Sequence, residues 1–318
     1  MRRFILLWLF FGVLAGACRP VPRSAADDDR LLVLASTSII ADVVRQVGGE
    51  DIRIAMLLPP DTDVHAYTLT AQDMINIAAA DVVFLNGLGL ELPLRTALEN
   101  IRPDAVQVDL SQGITPLSGF FLHPEGGAAD SPHEGEASSG GAFDPHVWTD
   151  PTNVAIWVQV IAETLAQQDT AHAEAYRQRA EVYRRELATL DVWIDTTIGN
   201  IPPDRRVLVG DHAVWGYFAA RYGFKQQLAL VPGYSTLVQP SAQELAALEA
   251  AIQQYNVPVI FVGNTVNPAL AERVAADTGT RLAFLYTDAL SAADGPAATY
   301  LDWMRYNVTV IANGFSQP

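Results

Sequence analysis

Four residues that can bind a metal ion lie just after predicted strands or just before a predicted helix. His65, in "LLPPDTDVHAYTLT", follows the apolar run "IRIAMLL", and His212 comes directly after the run "RVLVG". Asp288, in "RLAFLYTDALS", follows the last apolar run, and His146, in "AFDPHVWTDP", lies just before a helical pattern. A single histidine after a strand is more often structural. Four such residues in these places favour a shared metal site, because imidazole and carboxylate are ordinary metal ligands.

The donor atoms of this set limit the choice of metal. Three imidazole nitrogens and one carboxylate suit four-coordinate Zn²⁺. Mn²⁺ prefers more oxygen donors but accepts the same residue types, whereas Cu(I) prefers sulfur, which the set lacks. The sequence therefore predicts zinc, with manganese as the alternative.

The other histidines of the chain lie in different surroundings. His172 is near the start of a long helical pattern among alanines and charged residues, which predicts a surface position. His123 and His133 belong to the polar, glycine-rich segment "HPEGGAADSPHEGEASSGG". Such a segment is too polar to pack. It can capture metal weakly, but a solvated loop explains the two residues equally well.

The segment around His146 contains residues that can hold it in place. Trp148 is large enough to anchor the segment in a core, and Asp150 or Thr149 can cap the helix that follows. Asp144 is either a carboxylate that orients an imidazole or a residue of the turn. We therefore expect a fixed ligand even if the preceding loop moves.

Short apolar runs alternate with amphipathic stretches in both halves of the chain, a pattern typical of parallel strands covered by helices. It predicts an α/β fold with two lobes. The N-terminal lobe is expected at 31–169, with a flexible acidic loop at 118–142, and the C-terminal lobe at 200–318. The uninterrupted helical periodicity of 170–199 predicts one long, rigid connecting helix. Since ligands bind outside the carboxyl ends of parallel strands, the metal site is expected in the cleft between the lobes.

The N-terminal residues have the pattern of an export signal. In "MRRFILLWLFFGVLAGAC", two arginines precede an apolar run and small residues. Cys18 is the sole cysteine, so an intramolecular disulfide is excluded. Its position resembles a bacterial lipobox, which predicts a signal peptide at 1–17, lipidation of Cys18 and a tether at 18–30. Plain cleavage after Ala17 is the alternative. The mature protein is expected to be anchored to the membrane on its extracytoplasmic side, in the periplasm or at the cell surface.

The charge balance excludes one class of partner. Twenty Lys and Arg face 36 Asp and Glu, which gives a formal net charge of −16. Such a surface repels nucleic acid and mildly concentrates cations. No nucleic-acid partner is expected.

Several segments resemble, in the same order, the motifs of the metal-binding substrate-binding lipoproteins of bacterial ABC transporters, the zinc and manganese uptake family. The similar segments are "LLPPDTDVHAYTLTAQD", "DVVFLNGLGLE", "DPHVWTDPTN", "GDHAVWGYFAARYG", "GYSTLVQPSAQELAAL", "NPALAERVAADTG" and "LYTDALS". The resemblance implies two Rossmann-like lobes joined by a long helix and a metal between them. Its ligands fall on His65, His146, His212 and Asp288. It also implies handover of the metal to a membrane permease driven by a cytoplasmic ATPase; a monomer is expected.

Within this family, manganese members tend to have glutamate where this chain has His212, so the resemblance favours zinc. The loop with His123 and His133 is similar to a short, histidine-poor form of the acidic loop of zinc members. Gly263 is a departure, because relatives often carry a larger polar residue there. The chain also cannot form the disulfide found in some zinc members.

Two other kinds of function compete with metal capture for transport. A secreted zinc hydrolase would use three protein ligands and leave a position open for water. Four protein ligands would close the site, and neither an HExxH pair nor a GxSxG elbow occurs. A surface adhesin fits a lipid anchor but explains none of the four ligands. We therefore expect a binding protein and not an enzyme.

Overall fold

A four-stranded parallel sheet forms the first half of the fold in the computed structural model, which describes residues 29–118, 143–231 and 233–316. Its strand order is β2-β1-β3-β4. The strands are β1 (Leu32–Thr37), β2 (Arg53–Leu58), β3 (Val82–Leu85) and β4 (Val106–Asp109). They coincide with the apolar runs. The central strands β1 and β3 bury nearly every side chain, as strands covered on both faces do, whereas the edge strands β2 and β4 are only partly buried.

Three helices of the described chain belong to this half, and the first two begin at side-chain caps. They are α1 (Ser38–Gly48), α2 (Ala71–Ala79) and α3 (Arg95–Leu98). At α1, Thr37 Oγ1 accepts a hydrogen bond from the backbone N–H of Ile40 at 3.2 Å. At α2, Thr70 and Asp73 form a reciprocal capping box. Such caps satisfy backbone N–H groups that the first turn leaves unpaired.

Two long helices follow, α4 (Pro151–Gln168) and α5 (Ala173–Gly199). Helix α5 has 27 residues, which corresponds to a length of about 40 Å. It lies within the connecting helix predicted at 170–199. Its buried residues are spaced three or four apart, among them Tyr176, Ala180 and Tyr183. This stripe packs against α4, α1 and the C-terminal helix, so α5 is held along its length.

A second four-stranded parallel sheet has the order β6-β5-β7-β8. Its strands are β5 (Val207–Gly210), β6 (Gln226–Ala229), β7 (Val259–Gly263) and β8 (Arg281–Leu285). The remaining helices are α6 (Gly216–Tyr222), α7 (Ala242–Gln254), α8 (Ala269–Thr278) and α9 (Tyr300–Ser316). The α/β fold with two parallel-sheet lobes, predicted from the alternating pattern, is therefore observed.

One apolar core connects the two sheets. It runs from the first sheet through α4 and α5 to α9 and reaches one face of the second sheet, where Phe261 and Phe315 lie. The opposite face of the second sheet has a smaller core built with α7 and α8. Helix α9 belongs to the predicted lobe 200–318, yet the backbone N–H of Tyr300 donates to Asp42 of α1 at 2.9 Å. The hydroxyl of Tyr300 donates to the carbonyl of Trp148 at 2.8 Å.

In the part of the chain that the structure describes, no helix combines the length and the apolar character needed to cross a membrane.

Candidate metal centre

Each predicted ligand lies in a loop, either after a strand or before a helix. His212 and Asp288 come shortly after β5 and β8, and His65 lies in the loop between β2 and α2. His146 precedes α4, separated from it by one turn of 3₁₀ helix. The carboxyl ends of parallel strands share one edge of a sheet, so the chain order places these side chains toward the same cleft.

The structure brings these four residues together. One ligand atom from each of His65, His146, His212 and Asp288 lies within 4.8 Å of the others. His146 Nε2 is 3.8 Å from Asp288 Oδ1, and His212 Nε2 is 3.6 Å from Asp288 Oδ2. The imidazole centroids lie 5.2 to 5.7 Å apart. His146 and His212 are fully buried and Asp288 is 1% exposed, whereas His65 is half-buried.

Three buried donor atoms at this point lack a protein partner. Within the described residues, His65 Nε2, His146 Nε2 and Asp288 Oδ1 accept or donate no hydrogen bond. Buried polar atoms without a partner cost free energy, and native proteins rarely keep them without a reason. A cation held by these atoms would supply that reason. The residues present therefore fit a site for a divalent metal ion with nitrogen and oxygen ligands.

Two further aspartates fix the direction of two imidazoles. Asp144 Oδ1 accepts from Nδ1 of His146 at 2.8 Å and from its backbone N–H at 2.9 Å. Asp211 Oδ1 accepts from Nδ1 of His212 at 2.8 Å and from its backbone N–H at 2.6 Å. When each ring is neutral with its proton on Nδ1, as metal binding requires, the Nε2 lone pair faces the cluster.

Sequence reasoning considered the orienting role of Asp144 and missed that of Asp211. The adjacent residues Asp211 and His212, "DH" in "VLVGDHAV", are the sequence feature that could have indicated this role.

Burial and charge shift the pKa values of the cluster in different directions. Burial, assisted by the neighbouring imidazoles, lowers the pKa of His65 to about 3 against the opposing effect of Asp288. Burial would also lower the pKa of His212, but the carboxylates of Asp288 and Asp211 outweigh it and raise that pKa well above 6.5. Burial would raise the pKa of Asp288, but the imidazoles hold it below its usual range. In the metal-free site, His212 therefore carries a second proton, beside an ionised Asp288.

Packing around His146 makes this ligand rigid. Trp148 is 2% exposed, and its indole N–H donates to the carbonyl of Thr287 at 3.2 Å. Asp150 caps α4 by accepting from the N–H of Thr152 at 2.8 Å. The side-chain amide of Asn86 donates to the carbonyl of Pro145 at 2.9 Å. Burial of Trp148 and the cap at Asp150 agree with the sequence analysis, which did not single out Asn86.

The remaining predicted residues do not join this cluster. His172 is 47% exposed and its Nδ1 lies 2.7 Å from Asp169, as expected for a surface residue. His123, His133 and the predicted lipidation site Cys18 lie outside the described residues.

Residues 33–314 match the family described as ZnuA, zinc-uptake complex component A periplasmic. The iron-binding protein YfeA of Yersinia pestis is 29% identical over 90% of this chain and 86% of its own length. The manganese-binding lipoprotein MntA of Halalkalibacterium halodurans is 29% identical over 99% of this chain and 98% of its own. The solved structure of the periplasmic zinc binding protein TroA from Treponema pallidum has a TM-score of 0.79 and 28% identity, covering 91% of this chain and all of that one.

Proposed function

We propose that this chain, which belongs to the family of zinc-uptake complex component A periplasmic proteins, captures Zn²⁺ outside the cytoplasm and delivers it to the permease of an ABC transporter. The observation that carries the proposal is the buried cluster of His65, His146, His212 and Asp288, whose ligand atoms converge within 4.8 Å. We assign these four residues as the metal ligands.

Membership in this family of metal-binding, substrate-binding proteins confirms the resemblance found in the sequence motifs. It leaves the choice of metal open, because similar proteins are named for iron, manganese and zinc. The support for zinc comes from the ligands themselves: three imidazole nitrogens and one carboxylate complete a tetrahedral site.

The carboxylate supplies a second argument for zinc. The hydroxyl of Thr287 donates to Asp288 Oδ2 at 3.1 Å, whereas Oδ1 has no hydrogen-bond partner among the described residues. Asp288 therefore offers one free oxygen, which suits four-coordination. Manganese, the alternative cargo, would gain from both oxygens because it prefers more oxygen ligands.

The same ligand count favours capture over catalysis. Zinc enzymes use three protein ligands and keep a position open for water or substrate. Four protein ligands from two lobes enclose the ion instead. A binding role, and not a secreted hydrolase, is the function that this arrangement supports.

We further propose a monomer that is tethered to the outer side of the membrane by a lipid on Cys18 and hands its ion to a permease coupled to a cytoplasmic ATPase. The support is the lipobox-like sequence ending at Cys18 and the names of relatives, such as the manganese-binding lipoprotein MntA. Labelling of cells with a fatty-acid analogue, compared between the native chain and Cys18→Ala, tests the anchor. Unchanged labelling in the variant contradicts it.

Metal content after competition tests the central proposal. The mature protein is stripped, offered equal zinc and manganese, and analysed for bound metal beside His212→Ala, Asp288→Ala and the exposed control His172→Ala. One zinc per chain in the native and control proteins, lost in the other two, is the expected result. Bound manganese would overturn the choice of metal, and no stoichiometric metal would overturn the site itself.

A further inference from the structure

The loop that carries His65 is tied across the cleft by Asp63. One oxygen of this carboxylate, Oδ1, accepts from the backbone N–H of His65 at 2.8 Å. The other, Oδ2, accepts from the hydroxyl of Thr236 at 2.7 Å. Thr236 belongs to the loop between β6 and α7 in the second lobe. A single side chain therefore connects the backbone of one ligand to the opposite lobe.

Asp61 makes a second connection from the same loop. Its Oδ1 accepts from the side-chain amide of Asn264 at 2.9 Å, and its Oδ2 accepts from the backbone N–H of Ala292 at 3.1 Å. Its own N–H donates to the carbonyl of Leu290 at 3.0 Å. Asn264 follows β7, and the other two partners follow β8.

Asp61 has a backbone φ of 56°, in the left-handed region that aspartate tolerates better than most residues. This conformation is held by bonds that all reach the second lobe.

His65 is also the ligand best placed to move. His146, His212 and Asp288 are at most 1% exposed, and Asp211 and Asp144 hold the rings of the two histidines. His65 is half-buried and lies on a loop several residues beyond its strand. The cluster is therefore least enclosed by buried side chains on the side of this loop.

We propose that Asp61 and Asp63 are positioning residues that latch the His65 loop across the cleft and thereby set the rate at which bound metal leaves. This inference rests on the proposed function of metal capture. Neither carboxylate belongs to the ligand cluster, so the latch acts through the position of His65. The bonds to Thr236 and Asn264 are partly or fully open to solvent, where a hydrogen bond contributes modestly and breaks readily.

The dissociation rate of zinc tests the latch, measured as transfer from loaded protein to an excess of a chromogenic chelator. Thr236→Val removes the hydroxyl that Asp63 accepts from, and we expect it to raise the rate about threefold to tenfold, the effect of one hydrogen bond. Thr236→Ser keeps a hydroxyl and is expected to restore the native rate. Thr189→Val, an exposed threonine of α5 that bonds only within its helix, is the matched control.

An exchange of partners gives an independent test. Asn264→Asp places two carboxylates against each other and is expected to raise the dissociation rate. Adding Asp61→Asn lets the new amide donate to the new carboxylate while its oxygen still accepts from Ala292. The double variant should therefore return toward the native rate. A double variant that releases zinc as fast as Asn264→Asp contradicts the latch.

Two readouts separate the latch from other roles. Native protein that binds no zinc would defeat the proposed function, whereas native binding with unchanged dissociation rates in every variant overturns the latch alone. The melting temperature of the metal-free variants reports a structural role. A lower melting temperature without faster release assigns these contacts to stability and also overturns the latch.

Discussion

The backbone N–H of Gly263 donates to Oδ2 of Asp211 at 2.6 Å, while the other oxygen of that carboxylate holds Nδ1 of His212. A Cβ at position 263 would lie 2.9 Å from Asp211 Oδ2 and 2.6 Å from the hydroxyl oxygen of Thr287. In the sequence, Gly263 departs from the family, whose members often carry a larger polar residue at this position. Its lack of a side chain lets β7 approach the carboxylate that orients a ligand.

Gly263→Ala is expected to weaken zinc binding and to lower the free energy of unfolding by about 1 to 3 kcal/mol, because the new methyl group displaces Asp211 or Thr287 in a packed interior. Denaturant unfolding and chelator competition measure the two effects. Gly199→Ala is the control, since a Cβ there meets no atom within 4 Å. Equal zinc affinity in both variants would show that the close approach is unimportant for the site.

Asp144→Ala is expected to lower zinc affinity by about 10- to 100-fold, the usual cost of removing a carboxylate that orients a metal-binding imidazole. Without it, His146 loses the acceptor at 2.8 Å that fixes its ring. Competition with a chelator of known affinity measures the change, with Asp104→Ala, whose side chain is 77% exposed, as the control. An affinity equal to that of the control would show that packing alone holds the ring of His146.

Zinc affinity is expected to rise with pH across the neutral range, by about tenfold per unit where one proton is displaced. The raised pKa of His212 means that its imidazole is protonated in the metal-free site at neutral pH and must lose that proton to bind zinc. His65, with its pKa near 3, is already neutral there and does not compete. The sequence suggests that zinc affinity falls as the pH drops through the ordinary imidazole value of about 6.5. Because the pKa of His212 is raised, we expect that fall to begin at a higher pH.

Calorimetry at pH 6, 7 and 8, in buffers that differ in ionisation enthalpy, measures both the affinity and the protons released. We expect about one proton per zinc ion at pH 7. Constant affinity from pH 6 to 8 without proton release would contradict a protonated His212.

Thr287→Val is expected to raise the affinity for manganese relative to zinc by about tenfold, the scale of a hydrogen bond to a charged acceptor. Loss of the hydroxyl frees Oδ2 of Asp288, which can then act as a second oxygen donor. Thr287→Ser retains the hydroxyl and is the control. The ratio of the two dissociation constants is the measurement, and an unchanged ratio would remove Thr287 as a determinant of metal choice.

The sequence by itself determined the regular elements and identified the four candidate ligands. Apolar runs of strand length mark buried strands, and the periodicity of α5 and its lack of internal glycine or proline mark a long helix. His65, His212 and Asp288 follow such runs, so the topology of parallel sheets already directed them to one edge. His146 follows no strand; its place just before a predicted helix indicated it, and the resemblance of its motif to the family agreed.

Only the tertiary structure decided which groups surround those ligands. The contact between Gly263 and Asp211 joins residues 52 apart, and the bond from Thr236 to Asp63 joins residues 173 apart. Neither leaves a periodic trace in the chain. The first depends on how the end of β7 lies beside the residue that follows β5 in the second sheet, and the second depends on how two loops meet across the cleft. The raised pKa of His212 has the same origin, since it comes from burial and from carboxylates that the fold brings beside it.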